Sequence, residues 1–148
     1  MQIQEPDEEQ KPEEQGVAIY SKATLLFFSI FFSPLVGSVL LMLNLRSAGY
    51  KKQGTMILLM GVAWQFLCGI AVNYVAKLLG YPQNDTKVLQ HPQVVVLVLI
   101  LNIIGGGILA EYFFKKYFPG DDYEHKSIWR ALLITLVVCI PLSMLIRM

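Results

Sequence analysis

Charge is scarce in this chain. Only 16% of its 148 residues are Asp, Glu, Lys or Arg, where an average soluble domain carries about 25%. Hydrophobic residues make up 55%, and mean hydropathy is +0.51. That balance excludes a large soluble domain. A net charge of +1 gives no ground for a nucleic-acid partner. Histidine and cysteine are scarce as well, two of each. Cys68 and Cys139 both fall in long apolar stretches. Neither a disulfide scaffold nor a zinc motif is expected from them, and no other cofactor. They read as small packing residues. His91 and His125 stand in separate polar stretches. No nucleophile, base and acid can be assembled around them, which argues against an enzyme. No apolar stretch has a charge near its centre, as proton- and ion-coupled carriers usually do.

What the chain has is apolar length. A bilayer-crossing helix needs about 20 mostly apolar residues. Four such segments fit, at about residues 23–45, 55–79, 93–114 and 128–146. The expected fold class is all-α: an integral membrane protein with four transmembrane helices arranged as two helical hairpins. Its membrane domain would cover residues 19–148. Residues 1–18 contain Pro6, Pro12 and six of the eleven acids. Such a segment buries too little apolar surface to fold, and a disordered acidic tail is expected. It lacks the basic start and apolar run of a secretory signal.

Each segment carries small or polar residues four apart, which lie on one slowly drifting helix face. The second segment shows this best, with Gly61, Gln65, Gly69, Asn73 and Lys77. The first has Ser29, Ser33 and Gly37; the third has Asn102, Gly106 and Ala110; the fourth has Ala131, Thr135 and Cys139. Small residues at this spacing let helices approach closely, and a buried amide wants a partner there. Gln65 and Asn102 fall at similar depths and are expected to meet. Pro34 is expected to kink the first helix, and Gly49 to end it in the left-handed conformation. Pro141 is expected to bend the fourth. Glu111 lies near the end of the third segment, with Lys115 four residues on and Arg130 at the start of the next. An ion pair involving Glu111 and Arg130 is expected. Asn84-Asp85-Thr86 matches a glycosylation sequon, and the loop from Pro119 to Lys126 reads as a solvated turn.

Ser33-Pro34-Leu35-Val36-Gly37, followed by Asn44-x-Arg46-x-x-Gly49 and then lysines, resembles a helix-and-turn pattern in uncharacterised small multi-pass membrane proteins of bacteria. The match covers about twenty residues. Those relatives often show Gly-Gly where this chain has Gly37-Ser38. The resemblance implies a bacterial membrane protein, hence the cytoplasmic (inner) membrane, and supplies no reaction and no ligand. A short internal similarity relates residues 36–40 to 105–109, which fits two duplicated hairpins.

An even number of crossings places both termini on one side. That side would hold Lys11, Lys22, Lys77, Lys87 and Arg147. The other would hold Arg46, Lys51, Lys52, Lys115, Lys116, Lys126 and Arg130. Basic residues near span ends stay cytoplasmic, so the termini are expected outside. Tyr50, Tyr117 and Trp129 would form an aromatic belt on the basic side, with Tyr20, Tyr74 and Tyr81 on the other.

The functional expectation is a small non-catalytic membrane protein acting through helix–helix contacts: an accessory, assembly or scaffold component. Its partners would be the lipid bilayer, other membrane proteins or further copies of itself. The alternative is a small oligomeric transporter or channel, with a polar path near Gln65 and Asn102 and Thr135 beside it.

Overall fold

A computed structural model describes residues 17–81, 88–120 and 123–147, without the side chains of residues 141–147. Among the described residues the chain is helical and has no strand. The first segment is the largest departure from expectation. It is not one kinked helix but two short ones, α1 (Lys22–Phe31) and α2 (Pro34–Ser47). The dipeptide Ser33-Pro34 explains the break. Proline disfavours helical geometry in the residue before it, and Ser33 is fully extended (φ −175°, ψ 157°). Extended Ser33 then caps α2, its Oγ accepting from Val36 N at 3.4 Å. Pro34 occupies the first turn, where its missing N–H does no harm. One residue pair thus ends one helix and starts the next.

The two helices fold back on each other. At the turn, Gly37 lies directly against Ser29 Oγ. At the open end, buried Asn44 near the end of α2 clamps Tyr20, just before α1. It accepts from Tyr20 N at 2.8 Å and donates to Tyr20 O at 2.9 Å. Residues 17–47 therefore enter and leave at the same end of the bundle.

Gly49 (φ +90°) ends α2 as expected, with Tyr50 N bonded to Leu45 O. The long α3 follows (Lys51–Leu78), closed by Gly80 (φ +79°). After a short turn at Val88–Gln90, α4 runs from Pro92 to Gly107. It continues without a break through a π-helical stretch, Ile108–Phe114, and a last turn, Lys115–Tyr117. The final helix, α5, is Ile128–Arg147.

Two of these helices, Lys51–Leu78 and Pro92–Tyr117, are long and apolar enough to cross a bilayer, not the expected four. At 1.5 Å per residue α3 reaches about 42 Å and α1 only about 15 Å, roughly half the thickness of a hydrocarbon core. The stretch Ile128–Ile140 of α5 is apolar as well.

The core lies in the half of the bundle that contains the α1–α2 hairpin. Ile19, Leu25, Phe28, Val36, Leu40, Leu41, Leu45, Ile57, Leu109, Phe114 and Ala131 form one buried cluster. Below the hairpin tip α3 and α4 run on largely bare, and only Ala76 and Val94 are buried there.

The expected tail, residues 1–18, falls mostly outside the described residues, as do the sequon and Asp121-Asp122. Its last two residues, Val17 and Ala18, are described, with Ile19 following. Val17 packs on the core, Ile19 is fully buried, and Ile19 N and O bond to Glu124 O and Lys126 N at 2.8 Å each. The chain entering α1 is thus pinned to the α4–α5 loop.

That contact also overturns the expected side assignment. Lys22 and Tyr20 sit at the end that carries Arg46, Lys51, Tyr50 and Tyr117, not opposite it. From that end α5 runs on toward the other, so the two described chain ends lie at opposite ends of the bundle. They were expected together, and they are apart because the first segment turns back.

Candidate functional site

The chain's most unusual local chemistry is at the hairpin tip, residues 30–34. Breaking a helix frees backbone groups. In a continuous helix, Ile30 O would accept from residue 34, but Pro34 has no N–H. Asn102 of α4 supplies the missing donor, its Nδ2 lying 3.2 Å from Ile30 O. The amide that the sequence singles out is present and buried, but its partner is a main-chain carbonyl and not Gln65.

Two glycine contacts let neighbouring helices reach the tip. A Cβ on Gly105 would lie 2.6 Å from Pro34 Cγ, and one on Gly106 would lie 2.7 Å from Ser29 Cβ. Ser29 is thus held between Gly37 and Gly106. On α3, Gly61 lies directly against Ser38 Oγ, and a Cβ on Gly54 would be 3.1 Å from Met42 O. Ser38 and Gly54 lie outside the spacing-of-four stripes, so pattern reading missed them.

Of the residues chosen from sequence, the tip gathers Ser33, Gly37, Gly61, Asn102 and Gly106. It does not gather the rest. Gln65 is half-buried one turn below the tip. Gly69 is exposed with nothing near it, and Asn73 is exposed and donates to Gly69 O on its own helix at 2.9 Å. The face they share with Gly61 passes below the hairpin, where no helix covers it. Thr135 is buried on α5 and donates to Ala131 O at 2.8 Å.

The other interior hydroxyls also turn back on their own helices. Ser29 Oγ donates to Leu25 O and Ser38 Oγ to Leu35 O, both at 2.7 Å. Among the described residues one buried side-chain donor has no partner, Trp64 Nε1. It lies against Pro34 and Gly105 beside an apolar cavity of about 70 Å³. A second, open groove of about 350 Å³ lies between Phe32 at the tip and Leu132, Thr135, Leu136, Cys139 and Ile140 of α5. It too is mostly apolar.

The expected Glu111–Arg130 pair does not form. Glu111 instead pairs with Lys22 and with Lys115. The π-helical stretch around it has a wider turn. Leu109, Ala110 and Phe114 stay buried while Glu111 and Tyr112 face outward. The folded-back α1 brings Lys22 to Glu111, and Arg130 falls beside Tyr20 and Lys126. Burial pushes the Tyr20 phenol up, against the opposing pull of Arg130. The Lys126 ammonium donates to Ser47 Oγ at 2.8 Å and lies 5.5 Å from the Tyr20 ring centre.

The two histidines stand at opposite ends. His91 stacks on Tyr81 at 3.9 Å, and His125 lies by Ile19. No group of three or more His, Cys, Asp or Glu that could hold a metal occurs among the described residues. The site can therefore pack helices and terminate a broken one. No protein-family model, no curated protein and no solved structure matches the chain.

Proposed function

We propose that this chain is a multi-pass integral membrane protein, of the bacterial cytoplasmic membrane, that acts without catalysis through helix–helix contacts. Its role would be that of an accessory, assembly or scaffold component. The observation that carries this reading is the bare lower half of α3 and α4. Phe66, Leu67, Ile70 and Tyr74 on α3 are exposed, as are Val95, Val96, Leu99 and Ile100 on α4. Surface of that size and polarity belongs in lipid or against another protein. Gly69 stands within it with open space around it, so a further helix has room to approach.

The interior argues against a conduit. Asn102 is committed to Ile30 O, and Ser29, Ser38 and Thr135 to their own helices. Gln65 and Asn102 are not joined, and the two cavities beside the hairpin tip are mostly apolar. Non-helical backbone at membrane depth is tolerated where protein buries it. Ser33 and Pro34 are buried, which suits a hairpin dipping into the bilayer from one face.

In this arrangement α1 and α2 re-enter, while α3, α4 and α5 cross. Lys22, Arg46, Lys51, Lys52, Lys115, Lys116, Lys126 and Arg130 gather at one end, against Lys77 and Arg147 at the other. The basic end is cytoplasmic by the charge rule, so the N-terminal segment is cytoplasmic and α5 points outward.

Three measurements test this together. The protein should stay in the membrane pellet after carbonate extraction. Vesicles containing it should leak ions and small solutes no faster than empty ones. In those vesicles Gly69→Cys should form a disulfide-linked dimer or crosslink to an added partner subunit. Release by carbonate overturns membrane integration. Flux that Asn102→Leu abolishes overturns the contact role and favours transport.

A further inference from the structure

We propose that the groove between the first turn of α1 and the start of α5 binds the phosphate of an anionic phospholipid headgroup. The inference rests on the membrane reading above. The groove is open, about 500 Å³, and is lined by Ser21, Thr24, His125, Lys126, Ser127 and Trp129, with Ile128 at its edge.

Three features point to an anion carrying apolar chains. First, this end carries basic side chains that no described carboxylate pairs. Glu111 pairs with Lys22 and Lys115, but among the described residues neither Lys126 nor Arg130 has a carboxylate partner. Only one of the three Lys126 N–H donors is engaged, by Ser47 Oγ. Burial, with the nearby Arg130 charge, pushes the Lys126 ammonium pKa down. A bound phosphate would reverse that.

Second, two helices begin at this groove. Ser21 caps α1 by accepting from Thr24 N at 3.1 Å, and Ser127 precedes α5 with Arg130 N bonded to its carbonyl at 3.2 Å. First-turn N–H groups lack intrahelical partners, and both dipoles favour negative charge.

Third, the surface beside the groove is apolar. Ile128 is 61% exposed and Trp129 76% exposed. Leu132, Leu133 and Leu136 continue the strip along α5. A free phosphate has no use for that strip, whereas acyl chains do. Exposed Trp at the headgroup level beside basic residues is the pattern expected for contact with an anionic leaflet.

The test is native mass spectrometry of the full chain released from micelles with equal phosphatidylglycerol and phosphatidylcholine. Wild type should retain at least tenfold more phosphatidylglycerol. Arg130→Gln, at an exposed position, should reduce that preference to threefold or less, and Lys126→Gln/Arg130→Gln should remove it. Lys51→Gln/Lys52→Gln, at the same end but outside the groove, should leave it intact. Equal retention of the two lipids overturns the proposal, as does a loss in the Lys51/Lys52 control equal to that in the variants of Lys126, which lines the groove, and of Arg130 beside it. Thermal stabilisation by inorganic phosphate alone, matching that by phosphatidylglycerol, would make this a free-phosphate site and overturn the lipid assignment. Carbonate extraction separates the two levels. A protein that stays in membranes but shows no lipid preference loses only the groove, whereas one that is extracted loses the membrane reading itself.

Discussion

Two asparagines do more for this structure than any other polar side chains. Asn44 makes both of its hydrogen bonds to the backbone of Tyr20 and is completely buried. Asn44→Leu leaves a buried N–H and a buried carbonyl unpaired, so a loss of about 2–4 kcal/mol is expected. Unfolding in detergent, followed by tryptophan fluorescence, measures it. Asn73→Leu is the control. It is exposed and bonds only within its own turn, so its effect should stay within about 0.5 kcal/mol. Asn102→Leu removes the donor to Ile30 O and should cost about 1 kcal/mol, near the range measured for hydrogen bonds between membrane helices. Gln65→Leu should change little, and a double-mutant cycle with Asn102→Leu should show no coupling. Coupling above about 0.5 kcal/mol would mean the two amides meet after all.

At the scale of elements, glycines that look alike in sequence have opposite roles. Gly61 and Gly69 stand eight residues apart on α3, in one stripe. A methyl group on Gly61 would run into Ser38, whereas on Gly69 it would meet nothing within 4 Å. Gly61→Ala is therefore expected to destabilise by about 1–3 kcal/mol through overpacking. Gly69→Ala should stabilise isolated protein by up to about 1 kcal/mol, since alanine is the better helix former. Thermal melts of the two variants side by side decide this, and a destabilising Gly69→Ala would mean that a neighbour already covers α3. Gly37→Ala should behave like Gly61→Ala, because Gly37 lies on Ser29 across the hairpin. The hairpin itself was legible at one place, Ser33-Pro34, which is a helix-start signal. Reading proline only as a kink hid it.

For the whole molecule, the folded-back first segment reverses the side on which the chain enters. Ala18→Cys and Lys52→Cys, in a background without Cys68 and Cys139, should label together with an impermeant thiol reagent. Leu79→Cys should label from the opposite face. Labelling of Ala18→Cys together with Leu79→Cys would restore a first segment that crosses. The pinned entry strand adds a second expectation. Deleting residues 1–16 should leave the unfolding midpoint nearly unchanged. Deletion through Tyr20 removes buried Ile19, its two bonds to the α4–α5 loop and the partner of Asn44. That larger deletion should lower the midpoint by many degrees.

Composition and periodicity alone determined that the chain is helical and rich in apolar stretches. Glycine placement likewise announced where α2 ends, at Gly49. These are local properties, set by backbone preference and by how residues repeat along one helix. Pairing is not local. Whether residues 23–45 form one helix or two depends on what lies across the break: Asn102 to satisfy Ile30 O, and Gly105 and Gly106 to admit Pro34 and Ser29. The partner of Glu111 was decided the same way, since Lys22 reaches it only once α1 has folded back. A charge or an amide in a sequence states a need, and only the tertiary structure decides which neighbour meets it.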